Sequence, residues 1–289
     1  MPSSRYFQLD VFSARTGGGN QLGVVVDASG WSDAAMQSFA RWTDLVETTF
    51  VLPPTSNASY RLRIFTPSRE IPFAGHPTIG SAHAVLDCAI ATPVDGLLIQ
   101  ECGAGLLPIR IEGDGDARAL FLQAPAARVL REDPRDEPLL ATALAGATRG
   151  ALPPAFVEGG RRWWIAEFAD EASLRAWKPD HAAIGKLAAA TDSLGICAFA
   201  RSGSADYEIV VRALPAGVGI VEDPASGAAN GLIAAWIAHA EPNGALARGY
   251  RVSQGREIGH DAAIVIRIEG ERIWVGGRTR TIVSGTVDW

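Results

Sequence analysis

Two segments 147 positions apart read almost as copies: Gly75-His76-Pro77-Thr78-Ile79-Gly80-Ser81-Ala82 and Glu222-Asp223-Pro224-Ala225-Ser226-Gly227-Ala228-Ala229. Each sets a polar residue before proline, puts glycine three residues past that proline and opens into a run of small and apolar side chains, which is the pattern of a helix start. A helix that is apolar on nearly every side is stable only where every side is covered. Pro77 to Asp87 and Pro224 to Ala240 are both of that kind, so the chain must build two enclosures. Two matched helix starts therefore suggest two matched half-molecules.

The approach to each motif strengthens that reading. Leu62-Arg63-Ile64-Phe65-Thr66-Pro67 ends nine residues before His76, and Val210-Val211-Arg212-Ala213-Leu214-Pro215 ends eight before Asp223. Strand, proline turn, glycine-bearing loop and apolar helix thus occur twice in one order; the alternative is a chance likeness of two proline-initiated helices, a common start. In the first half, strands are predicted over Tyr6–Phe12, Gly23–Asp27, Thr48–Leu52, Tyr60–Phe65, Leu97–Gln100, Leu106–Ile111 and Leu120–Gln123, with a helix Asp33–Trp42 capped by Ser32. Residues 126–138 mix Arg, Asp, Glu and Pro without periodicity and read as a linker. Beyond it, a helix is predicted at about Glu137–Ala145, strands over Ala155–Glu158, Trp163–Phe168, Gly195–Ala200 and Tyr207–Ala213, and helices from about Asp170 and Asp180. The expected division is 1–125, with the C-terminal strand 277–289 as a candidate to complete it, and 126–276.

Composition narrows the partners. A net charge of −6 (26 basic against 32 acidic residues) and no basic cluster beyond Arg161-Arg162 argue against nucleic acid or an anionic membrane and favour a small molecule. Cys88, Cys102 and Cys197 form neither a CxxC nor a Cys/His ligand spacing, so neither a disulfide framework nor a zinc site is expected, and a reducing cytoplasm fits. No run of about 18 apolar residues occurs, and Met1–Asp10 lacks the basic and apolar regions of a signal peptide, so no membrane association is expected. His83, His181, His239 and His260 are too scattered to suggest a metal set.

The polar residues of the motifs admit two readings each. Asp223 and His76 stand where an N-cap belongs; aspartate needs no further reason there, whereas histidine caps poorly, and its imidazole suits either proton handling or a satisfied place in the core. Glu47 interrupts Leu45-Val46-Glu47-Thr48-Thr49-Phe50, where a solvent-facing carboxylate is the simpler expectation and an enclosed general base the alternative. Asn20 after Gly17-Gly18-Gly19 is a turn residue or a ligand contact. That glycine run is no phosphate loop, and no GxSxG element points to a serine hydrolase. A helix N-terminus offers unpaired N–H groups, so a carboxylate could bind without a basic side chain.

Taken in order, Asp10-Val11-Phe12, Gly19-Asn20, Glu47-Thr48-Thr49-Phe50, Phe65-Thr66-Pro67, Gly75-His76-Pro77-Thr78-Ile79-Gly80, Glu222-Asp223-Pro224 and Gln254-Gly255 resemble the PhzF-like phenazine-biosynthesis isomerase family. The resemblance implies an α+β fold of the diaminopimelate epimerase type: two pseudo-symmetric domains, each a rolled mixed sheet around a central helix, with a cleft between them. It implies a cofactor-independent and metal-independent isomerase, of which trans-2,3-dihydro-3-hydroxyanthranilate isomerase is the phenazine member, acting on a small carboxylated substrate, and a homodimer. Glu47 matches the catalytic acid/base, His76 and Asp223 the catalytic residues that position substrate and help proton transfer, and Asn20, Gly75, Gly227, Ala228 and Gln254 fall at substrate-binding positions. Ala228 replaces a usual serine, Val46 stands where serine often precedes the glutamate, Gln21 replaces the proline of Gly-Asn-Pro, and Gly259-His260-Asp261 departs from Gly-Arg-Pro. Those departures leave substrate identity open, and an epimerase, a dehydratase and a metabolite-binding protein without turnover remain alternatives. The cysteines lie away from the helix starts, which disfavours thiol racemisation.

Overall fold

The computed structural model describes residues 3–13, 15–134 and 137–289. The chain divides into two compact units, one of residues up to Gln123 together with Gly276–Trp289, the other Ala124–Val275.

The first unit runs β1 (Ser3–Val11), β2 (Asn20–Val26), α1 (Asp33–Thr43), β3 (Thr48–Leu52), β4 (Tyr60–Phe65), β5 (Glu70–Ile71), α2 (Gly75–Asp87), β6 (Leu97–Cys102), β7 (Gly105–Glu112) and β8 (Ala119–Gln123). β1 and β2 are antiparallel, β2 and β3 parallel, β3 and β4 antiparallel, β4 and β6 parallel, and β6, β7 and β8 antiparallel in turn. A parallel pair needs a crossover, and both crossovers are helical: α1 joins β2 to β3, α2 joins β4 to β6. α1 starts as expected, Ser32 accepting from the Ala35 N–H at 3.2 Å, and buries Met36, Phe39 and Ala40. They meet Trp31, Phe50 and Phe65 in an aromatic cluster that includes the edge-on ring pair Phe50–Phe65 at 5.4 Å. α2 has no polar face and packs against β1, β2, β3, β4, β6 and β8, so the sheet rolls around it. Gly80 makes that approach possible: a Cβ there would lie 2.5 Å from Leu22 Cδ2 and 2.8 Å from Val11 Cγ2.

The second unit repeats the plan with β9 (Arg128–Glu132), α3 (Pro138–Ala143), β10 (Ala155–Gly159), β11 (Arg161–Phe168), α4 (Glu171–Ala176), α5 (His181–Thr191), β12 (Ile196–Arg201), β13 (Ile209–Leu214), α6 (Gly227–Ala240), β14 (Gly249–Gln254) and β15 (Ala262–Glu269), before β16 (Arg272–Gly277) leads out. β10–β11 are antiparallel, β11–β12 parallel, β12–β13 antiparallel, β13–β14 parallel and β14–β15 antiparallel, the same senses in the same order. α6 is the inner helix, lying on β10, β11, β12 and β15. On the other face, Trp164 stacks on Phe156 at 4.5 Å within a core that includes Ile184, Leu187 and Leu174. The outer strands also correspond: β9 pairs antiparallel with β10, and β17 (Thr279–Asp288) pairs antiparallel with β1. The architecture is α+β, with two like units.

Two expectations change. Within the segment read as a linker, Arg128–Glu132 is a strand, because its backbone pairs with β10; Arg135 and Asp136 of that segment lie outside the described residues. The written motif is also out of register with the structural repeat. α2 begins two residues before Pro77, with Ala74 extended (φ −152°, ψ 146°) at its N-cap, while α6 begins three residues after Pro224, with Ser226 at its N-cap. Neither His76 nor Asp223 is an N-cap, since the chain turns helical ahead of His76 and only after Ser226. The matching positions are instead Thr78 and Asn230, the fourth residues of their helices. Thr78 Oγ1 donates to Ala74 O at 2.9 Å and Asn230 Nδ2 to Ser226 O at 2.8 Å. Each also meets a buried glutamine, Gln100 Nε2 donating to Thr78 Oγ1 at 3.1 Å and Asn230 Nδ2 to Gln254 Oε1 at 2.8 Å. Both glutamines lie on the strand that follows the inner helix.

Candidate functional site

In the first unit the sequence places Glu47 on the step into β3, where its backbone carbonyl accepts from the Gly23 N–H at 3.3 Å. That bond belongs to the β2–β3 ladder and fixes the direction in which the side chain leaves the backbone. The carboxylate is not solvent-facing, the simpler expectation for a glutamate in that stretch; its side chain is only 12 % exposed. His76 is the second residue of α2, and Pro77 follows it in the first turn, where a missing N–H costs nothing. Helix and strand bring His76 Nε2 to 3.3 Å from Glu47 Oε2 and 3.2 Å from Gln21 O.

A backbone carbonyl can only accept, so the bond to Gln21 O requires His76 Nε2 to carry the proton, the Nε2–H tautomer. Burial pushes its pKa down to about 4, against a smaller upward pull from the Gln21 carbonyl. The imidazole is therefore neutral at pH 7: a polar neighbour of Glu47 whose Nε2–H is directed to Gln21 O, rather than a counter-ion. Gly75 opens the same helix turn. Asn20 is the first residue of β2, buried and paired with Val11.

The loop leading to Asn20 is organised by Asp10, whose importance the residue pattern alone did not reveal. Its carboxylate accepts from Gly17 N (2.7 Å), Gly19 N (2.8 Å) and Ser13 Oγ (2.8 Å). Gly19 has to be glycine, since a Cβ there would lie 2.1 Å from Val11 O. An aspartate seven to nine residues ahead of a glycine run was the available signal.

In the second unit, Asp223 Oδ1 accepts from the Ala225 N–H at 3.0 Å, an Asx turn rather than a helix cap. Burial raises its pKa, opposed by the Ala225 N–H, by Ser226 and by His260. Its backbone is held on both sides, N–H to Ala213 O at 2.9 Å and C=O from Gln254 Nε2 at 2.7 Å. Gln254 is fully buried, and its Oε1 also accepts from Ser226 N at 3.3 Å. At the start of α6, Ser226 Oγ accepts from Ala229 N at 3.3 Å, which leaves the N–H groups of Gly227 and Ala228 without partners among the described residues. Ala228 is exposed. Such a pair of free donors, on the positive end of a fourteen-residue helix, suits a carboxylate.

A family model described as phenazine biosynthesis-like protein matches residues 9–286. The chain belongs to this family. Among curated relatives, antisense-enhancing sequence 1 of Schizosaccharomyces pombe is 30% identical over 99% of each chain. Trans-2,3-dihydro-3-hydroxyanthranilate isomerase of Pseudomonas aeruginosa is 34% identical over 92% of this chain and 91% of that one. Among solved structures, a PhzF-family protein of Bacillus anthracis shares the fold at a TM-score of 0.84, with 23% identity over the whole of both chains. A hydroxyproline epimerase of Agrobacterium vitis shares it at 0.63, with 13% identity over 99% of this chain and 92% of that one. The family fold is thus of the epimerase type.

Within the first unit Glu47 and His76 meet, with Gly75 next to His76 in α2 and Asn20 next to Gln21 in β2; within the second Gln254 holds Asp223, with Gly227 and Ala228 opening α6 after Ser226. Among the described residues, no group of three or more His, Cys, Asp or Glu side chains could hold a metal ion, and no helix is long and apolar enough to cross a membrane.

Proposed function

We propose that this chain is a cofactor-independent isomerase that moves a proton on a small carboxylated substrate, with Glu47 as the proton carrier. Trans-2,3-dihydro-3-hydroxyanthranilate, which the relative from Pseudomonas aeruginosa acts on by its name, is the first substrate to test. The observation that carries the reading is the enclosed Glu47–His76 contact, 3.3 Å from Nε2 to Oε2, in a chain that matches the family across 9–286.

The carboxylate takes a proton from a carbon next to an unsaturated system; the C–H bond breaks, an O–H bond forms on Glu47, and the electron pair enters the conjugated system. Glu47 then returns the proton to a different carbon, so the product is an isomer and no electrons leave the substrate. His76, neutral and held by Gln21 O, stands 3.3 Å from Glu47 Oε2 and flanks the carboxylate through both steps without neutralising it. In the second unit, Asp223 is the second catalytic residue, the free N–H groups of Gly227 and Ala228 receive the substrate carboxylate, and Gln254 acts by holding the Asp223 loop. Ala228 offers a backbone donor but no hydroxyl, which favours a substrate that needs no side-chain donor at that point. We place the protein in the cytoplasm as a homodimer, in line with its cysteine usage and family.

The test is Glu47→Gln assayed in deuterium oxide. Turnover should fall by about two to four orders of magnitude, the range of a lost general acid/base, while the parent returns product of unchanged mass apart from deuterium at the migrated position. Parental turnover in the variant would overturn the assignment. Loss of water from the substrate would move the enzyme to the dehydratase reading.

A further inference from the structure

Glu222, beside Asp223, has no place in the chemistry above, yet it is among the most completely enclosed charges of the second unit. Its side chain is 2 % exposed and that of Arg212 6 %. Arg212 donates from Nε to Glu222 Oε1 at 3.0 Å and from Nη2 to Oε2 at 2.8 Å, a bidentate pair. The same guanidinium donates from Nη1 to the carbonyls of Trp177 at 2.7 Å and Leu174 at 3.4 Å, at the end of α4.

Burying such a pair gains little stability, because an apolar pair of equal volume would do as well or better. Its value has to lie elsewhere, and its position says where. Ahead of it, Gly217–Val221 are all exposed, Val218, Ile220 and Val221 included. Immediately after it, Asp223 N donates to Ala213 O, the residue following Arg212. The ion pair and this backbone bridge are neighbouring rungs between β13 and the loop. They are where an exposed segment becomes fixed before the carboxylate of Asp223.

We propose that Arg212 and Glu222 are positioning residues that set the place and the local charge of Asp223. The inference rests on the reading of Asp223 as a catalytic residue. His260, in the turn after β14, favours the ionised form of Asp223 against burial, and the Cys197 thiol on β12 is pushed well above its ordinary value by burial and by Asp223. Removing the Glu222 charge leaves Arg212 unneutralised, and the excess positive charge favours the ionised form of Asp223.

Glu222→Gln and Asp223→Asn should be compared with the parent in two measurements: kinetics with trans-2,3-dihydro-3-hydroxyanthranilate, and titration of the Asp223 carboxyl by carbon-13 NMR, assigned by its absence in Asp223→Asn. For Glu222→Gln the expected result is kcat lower by about 10- to 100-fold, KM within about twofold, and an Asp223 midpoint lower by on the order of half a pH unit. An unchanged midpoint with parental kcat overturns the inference. If the midpoint moves but Asp223→Asn keeps full activity, Arg212 and Glu222 still govern Asp223 and it is the catalytic reading of Asp223 that fails. Should Glu222→Gln not fold, Arg212→Met with Glu222→Leu removes both charges together; parental kcat in that double variant would equally overturn the inference.

Discussion

His76 makes the site acid-sensitive in a way that can be measured without substrate. In the unfolded chain its pKa is 6.5, and in the fold burial lowers it to about 4. Below pH 6.5 the unfolded chain takes up a proton that the native state refuses, so stability is fully present above that value and is lost as pH falls toward 4. The interval of about 2.5 units, at 1.36 kcal/mol each, corresponds to about 3 kcal/mol, of which about 2 is lost by pH 5. His83 works in the same sense, its pKa also lowered to about 4 by burial. Asp223, raised by burial, works in the opposite sense, and Glu101, lowered to about 2 by Thr55 and Ser56, acts below this window. All three are present in parent and variant alike and cancel in the difference. His76→Gln keeps a side-chain N–H for Gln21 O and removes the titration. Unfolding free energies from urea titrations followed by near-UV circular dichroism, between pH 4.5 and 7, should therefore fall more steeply for the parent. The difference in slope should approach one proton, about 1.4 kcal/mol per pH unit. Parallel curves for parent and variant would refute the placement of His76 as a buried neutral imidazole.

Packing gives further tests. Gly80→Ala should destabilise by about 1–3 kcal/mol through overpacking against Leu22 and Val11, read as a lowered unfolding midpoint. Trp164→Ala should cost about 3–5 kcal/mol, since the side chain is wholly buried against Phe156. Asp10→Ala strips three bonds from the 13–19 loop, and limited proteolysis should cut there first in the variant and not in the parent. Of the three thiols, Cys197 should stay unmodified by a thiol reagent in the native protein while half-buried Cys88 and Cys102 react.

Much of the fold could be read from local pattern. Thr48–Leu52 and Tyr60–Phe65 are strands over the residues expected, and Ser32 caps α1 as a serine before an amphipathic run should. These elements were legible because neighbours in the chain decide them. Arg128–Glu132 was not, since nothing in its composition favours a strand until β10 lies alongside. The inner helices were recognised by their lack of a polar face, but proline drew attention to the wrong start; the informative residue in the second copy was Ser226, three before the amide it caps.

The residue types needed for the proposed chemistry, the doubling of an apolar helix and the family all follow from the order of amino acids along the chain. What only tertiary structure decided is how those residues behave. A glutamate whose charge alone would send it to solvent is enclosed because the β2–β3 ladder and the first turn of α2 converge on it, 29 residues away in sequence at His76. That imidazole is neutral because burial withdraws the water that would stabilise its charge, and neither burial nor a 3.3 Å contact is a property of any single stretch of chain.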